Sequence, residues 1–412
     1  MHIAIIGGGA AGLMAAAAVQ ETNPAAMVSL IERNPSLGKK VIISGGGRCN
    51  VTTGLHDIRA VLSRYPRGGK FLSSAMRRFP PEWTMSWFEA HGVPLKTEED
   101  LRVFPRSNKG TDVVAVFKRL FHASDAHVSL LLSRHATAVA KTADGFVVSF
   151  RNGEPLVVDR IILTTGGQAY RQTGSTGDGY AFAESLGHTV TPLAPSLSSF
   201  FTKEMWPKEI SGLSIESAKL SAPGVPHASY TGPFLFTHKG VSGPAVFALS
   251  ALVAFERFDA AHPLHITIDL FPDETSEKLA ARLTEVFRAN AKKSTKTVLG
   301  FLLPKALIAV LVAETGVDGE AQTAQIAKKD VALCVRWMKA IPLTVIGRGV
   351  GDEFVTAGGV DTDEVDPRTM ESRICPGLFF AGELLNVDGF TGGFNLQASW
   401  ATGRVAGESA AA

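Results

Sequence analysis

The first 32 residues constrain this chain more than any other stretch. Residues 2 to 6, HIAII, form a short continuous apolar run, the pattern of a strand buried on both faces of a parallel sheet. Gly7, Gly9 and Gly12 follow in GxGxxG spacing. The first glycine permits a tight turn, the second lets backbone approach a pyrophosphate, and the third lets the next helix pack closely on the strand. That helix is expected from Ala10 to about Gln20, with its unpaired N–H groups and positive dipole end facing the phosphates. After Asn23-Pro24 a second strand runs from Met27 to Ile31 and ends in Glu32, 20 residues beyond Gly12. An acid there accepts hydrogen bonds from a ribose diol, which suits FAD or NAD over NADP. With 41 glycines in 412 residues, a glycine-rich turn alone means little. The conjunction of strand, glycines, helix, strand and acid is what predicts a nucleotide site.

Later segments say which dinucleotide. Val41-Ile42-Ile43 leads into Ser44-Gly45-Gly46-Gly47-Arg48-Cys49-Asn50, a loop whose backbone can approach a flat ring or a phosphate beside a positive charge. A buried strand is expected from Val157 to Thr165, ending in Gly166-Gly167, and another from Gly377 to Phe380, running into Ala381-Gly382-Glu383. Asp388-Gly389-Phe390-Thr391-Gly392-Gly393-Phe394-Asn395 then opens a final helix, Leu396 to about Glu408. The positive end of that helix suits a flavin, whose N1 and O2 collect negative charge on reduction.

Composition excludes several classes. Hydrophobic residues are 45% and charged residues 19%, which is not a disordered chain. Forty-one Lys and Arg against 39 Asp and Glu leave a net charge of +2, too little to neutralise a phosphate backbone over a whole surface. Cys49, Cys334 and Cys375 are far apart with no CxxC, against a disulfide framework, a dithiol relay or a zinc site, and in keeping with a reducing cytoplasm. The apolar start has only His2 before it and three glycines within it, unlike an export signal. Val241 to Phe255 spans 15 residues, short of the roughly 20 a bilayer needs, so no membrane contact is expected.

These residues resemble the bacterial flavoproteins of the YhiN type, distant relatives of fumarate-reductase and glutathione-reductase flavoproteins. The similar segments are GGGAAGL, SGGGRCNVT, FLFTHKGVSGPAVFALS at 234 to 250, FVTAGGV at 354 to 360, and TMESRICPGLFFAGELLNVDGFTGGFNLQASWATG at 369 to 403. The resemblance implies an α/β fold: a discontinuous Rossmann-like FAD-binding domain with inserted β-rich and helical parts. It implies Gly7, Gly9 and Gly12 at the pyrophosphate, Glu32 at the adenosine ribose, Gly382 and Glu383 near the ribityl-pyrophosphate turn, and Gly393, Phe394 and Asn395 at the isoalloxazine. Ala10, Ala11, Arg33, Lys40, Ser44, Gly45, Arg48, Asn50, Ala136, Thr165, Gly166 and Gly389 complete the expected cofactor contacts. Asn386 stands where many members carry Asp, so the resemblance is closer to a subgroup than to the family's centre and does not carry over a substrate.

The expected domains are 1–189 with 345–412 for the cofactor, 190–272 for a β-rich, barrel-like insert, and 273–344 for a helical one. Residues 190 to 272 carry nine prolines between short runs such as Ser217 to Leu220 and Leu264 to Leu270. Glu277 to Ala291 and Val331 to Met338 are amphipathic, and Pro304 to Val312 is apolar at helical spacing. Such an insert suits a lid, because a reduced flavin open to oxygen loses its electrons. In it, His238 is the candidate acid or base, weighed against a plain fixture of a strand-to-helix turn. Cys49 reads as packing rather than a reactive thiol, and Tyr170 and Arg171 as substrate contacts or surface.

Arg59, Arg64, Arg67, Lys70, Arg77 and Arg78, interleaved with Tyr65, Phe71 and Phe79, have the composition of a nucleic-acid footprint and equally of a solvated amphipathic helix, the preferred reading. The expectation is an FAD-dependent oxidoreductase exchanging a hydride at flavin N5 with a small organic substrate. A tRNA-directed flavoenzyme is the alternative, and a flavin-binding scaffold without turnover the third reading. Gly347-Arg348-Gly349-Val350-Gly351 lacks the spacing of a second dinucleotide motif, so NAD(P)H would bind only transiently over the flavin. Sequence does not specify the oligomeric state.

Overall fold

The computed structural model describes residues 1–124, 126–349 and 353–412. Val350 and Gly351 of the late glycine run lie outside them. The chain divides into two compact units, Met1–Ser196 with Glu353–Ala412, and Leu197–Asp352.

The first unit is built on a five-stranded parallel sheet. Its order is Leu378–Phe380, Arg160–Leu163, β1 (His2–Ile6), β2 (Met27–Glu32) and Val128–Leu132. Ile5 lies opposite both Ile162 and Leu30, and all three are fully buried, which is why β1 reads as a continuous apolar run rather than an alternating one. The stretch expected as one strand from Val157 to Thr165 is two. Leu156–Val158 closes a three-stranded antiparallel sheet with Ala136–Lys141 and Phe146–Phe150, and Arg160–Leu163 enters the parallel sheet. The chain changes sheets at Asp159, whose carboxylate accepts the His2 N–H at 2.6 Å, leaving Val157 68% exposed. Val41-Ile42-Ile43 lies in a short helix, Lys39–Ile43.

Helix α1 (Ala10–Thr22) packs directly on the C-terminal helix, Phe394–Ala411. A Cβ on Gly403 would lie 2.4 Å from the Ala11 carbonyl oxygen, and one on Gly407 2.4 Å from that of Ala15. The matching order of these contacts makes the helices parallel. Ala11 is the second residue of α1 and Gly403 the tenth of its partner, so the two helix starts are offset by eight residues, about 12 Å at 1.5 Å per residue.

His188, which follows helix Asp178–Ser185, has a fully buried side chain between Glu364 Oε2 (3.1 Å) and Ser372 Oγ (2.7 Å). Burial lowers its pKa from the usual 6.5, against the pull of Glu364. Below about 6.5 the unfolded chain therefore binds a proton that the folded chain resists, and stability falls with pH. The unfolding midpoint is expected to drop between pH 7.5 and 5.5, and His188→Gln to flatten that slope; an equally steep slope in the variant would assign it elsewhere.

The second unit is a closed barrel of six strands in the order Phe200–Thr202, Gly240–Ser242, Ser229–Thr237, Ser214–Ser221, Leu264–Asp269 and Ile341–Arg348. Phe200, Phe234, Phe236, Ile266 and Leu343 are buried with it. Helices Ser276–Ala289, Thr295–Leu299, Lys305–Thr315 and Lys328–Lys339 fill the connection to the last strand. Thr275 and Ser294 cap the first two, and Leu279, Leu283 and Phe287 give the first its buried stripe. The sequence boundary at 344/345 cuts the last strand, which runs to Arg348 because it must pair with both Leu264–Ile268 and Phe200–Thr202 to close the barrel. No helix among the described residues is long and apolar enough to cross a membrane.

Candidate functional site

The three motif glycines do different things. Gly7 has φ +115°, and a Cβ there would lie 2.4 Å from the Thr164 carbonyl oxygen; one on Gly12 would lie 1.9 Å from Gly7 O. Both are demanded by the fold. Gly9 is not: its φ of −82° suits any residue, and a Cβ would meet nothing within 4 Å. It keeps open the space before α1, where Ala10 and Ala11 begin the helix without a side-chain cap. A helix start without a side-chain cap, with open space beside Gly9, is the kind of site that suits an anion.

Glu32, 8% exposed at the tip of β2, accepts the Gly8 N–H at 2.9 Å through Oε2 and the Asn34 N–H at 2.8 Å through Oε1. Asn34 Nδ2 donates to Oε1 as well, at 2.7 Å, so the carboxylate is oriented by three hydrogen bonds and its remaining acceptor capacity lies on Oε2. The adjacent Arg33 turns away, donating to Thr176 and to Asp178 (2.9 Å), where His135 also binds (3.0 Å). Burial works against the Asp178 carboxylate, but hydrogen bonds from Thr176 and His135 and the Arg33 charge outweigh it and hold its pKa low. Ala136, buried beside His135, opens strand Ala136–Lys141.

Lys40 pairs with Glu383 at 2.6 Å, and Glu383 also accepts the Thr356 N–H at 2.9 Å. Ser44 spends its hydroxyl on Val41 O (2.8 Å). Gly45, Gly46 and Gly47 all have positive φ and are exposed. Arg48 is not a free charge: Glu98 accepts from it at 2.7 Å, and its guanidinium lies 3.8 Å above the Phe104 ring centre. Cys49 is buried and its thiol is pushed up to about 12 by burial, so it is no nucleophile. With its amide oriented to satisfy both sides, Asn50 donates to Thr52 O (3.0 Å) and accepts the Gly393 N–H at 2.9 Å. The SGGGRCN loop thus grips the start of the C-terminal helix. Thr165 presents a buried hydroxyl oxygen with no partner among the described residues, next to Gly166 at φ +74°. Gly382, φ +76°, sits where a Cβ would lie 2.8 Å from that of Ala11, and its N–H donates to Thr402 at 3.0 Å.

At the C-terminal helix, a Cβ on Gly393 would lie 2.2 Å from Thr52 O. Asn395 braces its own loop, accepting the Gly389 N–H and donating to Gly389 O, both at 2.8 Å, so its side chain is occupied. Phe394 is buried, its carbonyl accepting from Tyr65 at 2.7 Å. Gln397 and Trp400 bind the backbone of Phe79 and Val51, both at 2.9 Å.

Other sequence candidates lie differently. His238 is at the exposed tip of the hairpin joining Ser229–Thr237 to Gly240–Ser242, not at a strand-to-helix turn, because that short strand intervenes before helix Pro244–Leu252. Tyr170 stacks on Phe354 at 5.9 Å and Arg171 binds Gln168. In the cationic stretch Tyr65, Phe71 and Phe79 are buried, and Arg67 pairs inward with Asp388. No aromatic there is free to stack on a base. Sequence reasoning missed Tyr65, Arg67, Asp388 and Gln397; the available signal was Asp388, a lone charge within the apolar Leu384–Phe390 run.

A parallel sheet with a glycine turn after its first strand, an acid ending its second and a second helix start beyond define a Rossmann-type flavoprotein oxidoreductase. The chain belongs to the HI0933-like family, matching the HI0933-like protein Rossmann domain over residues 1–409. It is 31% identical to the 3-dehydro-bile acid delta(4,6)-reductase of Clostridium scindens, over 100% of this chain and 99% of that protein. It is 30% identical to the ribosomal RNA dihydrouridine synthase of Escherichia coli, over 97% and 95%. Among solved structures, a quinol-fumarate reductase with menaquinol molecules aligns at TM-score 0.52 and 16% identity, covering 100% of this chain and 70% of that one. E. coli quinol fumarate reductase FrdA aligns at 0.51 and 17%, with the same coverage. These two likenesses show the fold.

Proposed function

We propose that the chain is a reductase that holds FAD along the line from Gly9 to Gly393 and acts on a small unsaturated organic molecule. The observation that carries this is the pair of parallel helix starts offset by about 12 Å. One faces the open space beside Gly9, and the other is held by Asn50 and Tyr65. Two positive helix ends at that separation suit a long ligand with phosphates at one end and an anion-forming ring at the other. Bound FAD would supply hydride transfer at N5.

The α1 N–H groups would bind the pyrophosphate, Glu32 the ribose diol, and the Gly392–Asn395 helix start would stabilise charge at N1 and O2. Reduction rather than oxidation is favoured by the name of the Clostridium relative, and NAD(P)H is the donor proposed, bound transiently. The second reading, a ribosomal RNA substrate, is favoured by the names of the E. coli and Haemophilus influenzae relatives. The buried aromatics of the Arg59–Arg78 stretch and the net charge of +2 weigh against it.

The purified protein is expected to absorb near about 450 nm, to bleach with NADH or NADPH under argon, and to recover colour with an unsaturated ketone from a panel that includes 3-dehydro-bile acids. Recovery only with ribosomal RNA would replace the small-molecule reading, and no bleaching by either nicotinamide would remove the donor.

A further inference from the structure

The charge pattern of segment 64–68 suits a solvated helix, yet the segment runs along the loop that precedes the C-terminal helix. Arg67 and Asp388 form an antiparallel bridge, and the Phe390 N–H donates to Arg64 O at 2.9 Å. Side chains repeat the connection. The Arg67 guanidinium donates to both Asp388 oxygens, Nη2 to Oδ2 at 2.5 Å, and the Ser196 hydroxyl donates to Oδ2 at 2.9 Å. Asp388 is completely buried. Gly389 packs so closely on Tyr65 that a Cβ would lie 2.9 Å from the ring, and the Tyr65 hydroxyl donates to Phe394 O, in the first turn of the helix, at 2.7 Å.

A buried ion pair is a poor way to gain stability, since an apolar pair of the same volume does as well or better. What a forked guanidinium on a carboxylate supplies is one geometry. Geometry matters at a helix start, because the partial charge there acts only over the first turn. We infer that segment 64–68 is a splint that aims the N-terminus of the C-terminal helix, with Tyr65 and Arg67 as positioning residues for the end of the flavin that gains negative charge on reduction. This rests on the flavin placement proposed above.

Tyr65→Phe removes one oxygen and leaves the ring against Gly389, so fold and FAD content are expected to match wild type. Binding of reduced flavin should weaken about fivefold relative to oxidised flavin, the factor one ordinary hydrogen bond is worth, read as a midpoint potential shifted to more negative values. Arg67→Lys keeps the charge but loses the fork, and should shift the potential the same way; if it fails to fold, Tyr65→Phe carries the test alone. Folded Tyr65→Phe protein holding FAD at the wild-type potential overturns the splint and leaves the flavin placement standing. Wild-type protein that takes up no FAD on reconstitution overturns the placement itself.

Discussion

Gly9→Val is expected to give a folded, colourless protein. Its backbone angles, φ −82° and ψ −167°, are ordinary for a branched residue, and a Cβ meets nothing within 4 Å, so the change costs the fold under about 1 kcal/mol. On the placement proposed above, the same branch would stand where the pyrophosphate meets α1. Losing that approach should cost at least about 4 kcal/mol of cofactor binding, roughly a thousandfold in Kd. The comparison must be made with flavin-stripped wild type, because bound cofactor itself raises stability. Matching denaturant midpoints and a flavin-to-protein absorbance ratio near zero are the expected pair of results. Yellow Gly9→Val protein with full FAD content would move the pyrophosphate elsewhere.

The second large effect is expected at Gly403 and Gly407. Helix propensity alone predicts that Ala at either position stabilises by about 1 kcal/mol. Packing predicts the reverse, since each Cβ would lie 2.4 Å from a carbonyl oxygen of α1, and backbone cannot step aside as a side chain can. Each variant should lose about 2 to 3 kcal/mol net, and FAD affinity should fall as well because the two helix starts no longer keep their offset. Chemical denaturation of stripped protein decides it; a raised midpoint in either variant would mean that the helices stand further apart than described.

The parts of the fold that were legible in sequence are those where one residue type has one physical use. A buried parallel strand needs an unbroken apolar run, and Ile3 to Ile6 supply it. Gly7 and Gly12 were readable because no other residue fits there. Boundaries set by partners distant in the chain were not legible. Residues 156–163, LVVDRIIL, are apolar on either side of Asp159-Arg160, but that this charged pair is a change of sheet rather than an exposed point of one strand depends on the Asp159 contact with His2. Ile341–Arg348 is claimed by a barrel whose other strands lie some 70 to 140 residues earlier.

The site was read as a set of contacts, whereas many of the same residues hold one another. Arg48 is spent on Glu98, Asn395 on Gly389, and Arg33 on Asp178. Charge density misled most at Arg67 and Tyr65, because a run of arginines looks solvated until an Asp388 appears 321 residues away.

The ribosome makes β1 some 388 residues before the C-terminal helix that packs on α1. At translation rates of about 5 to 20 residues per second, that interval is roughly 20 to 80 s. Throughout it the newborn α1 lacks the Gly403–Gly407 face that packs on Ala11 and Ala15, and a dinucleotide held as proposed above is captured only after residue 393 has emerged. Cells starved of riboflavin should therefore accumulate completed but empty chains, rather than chains stalled or degraded early.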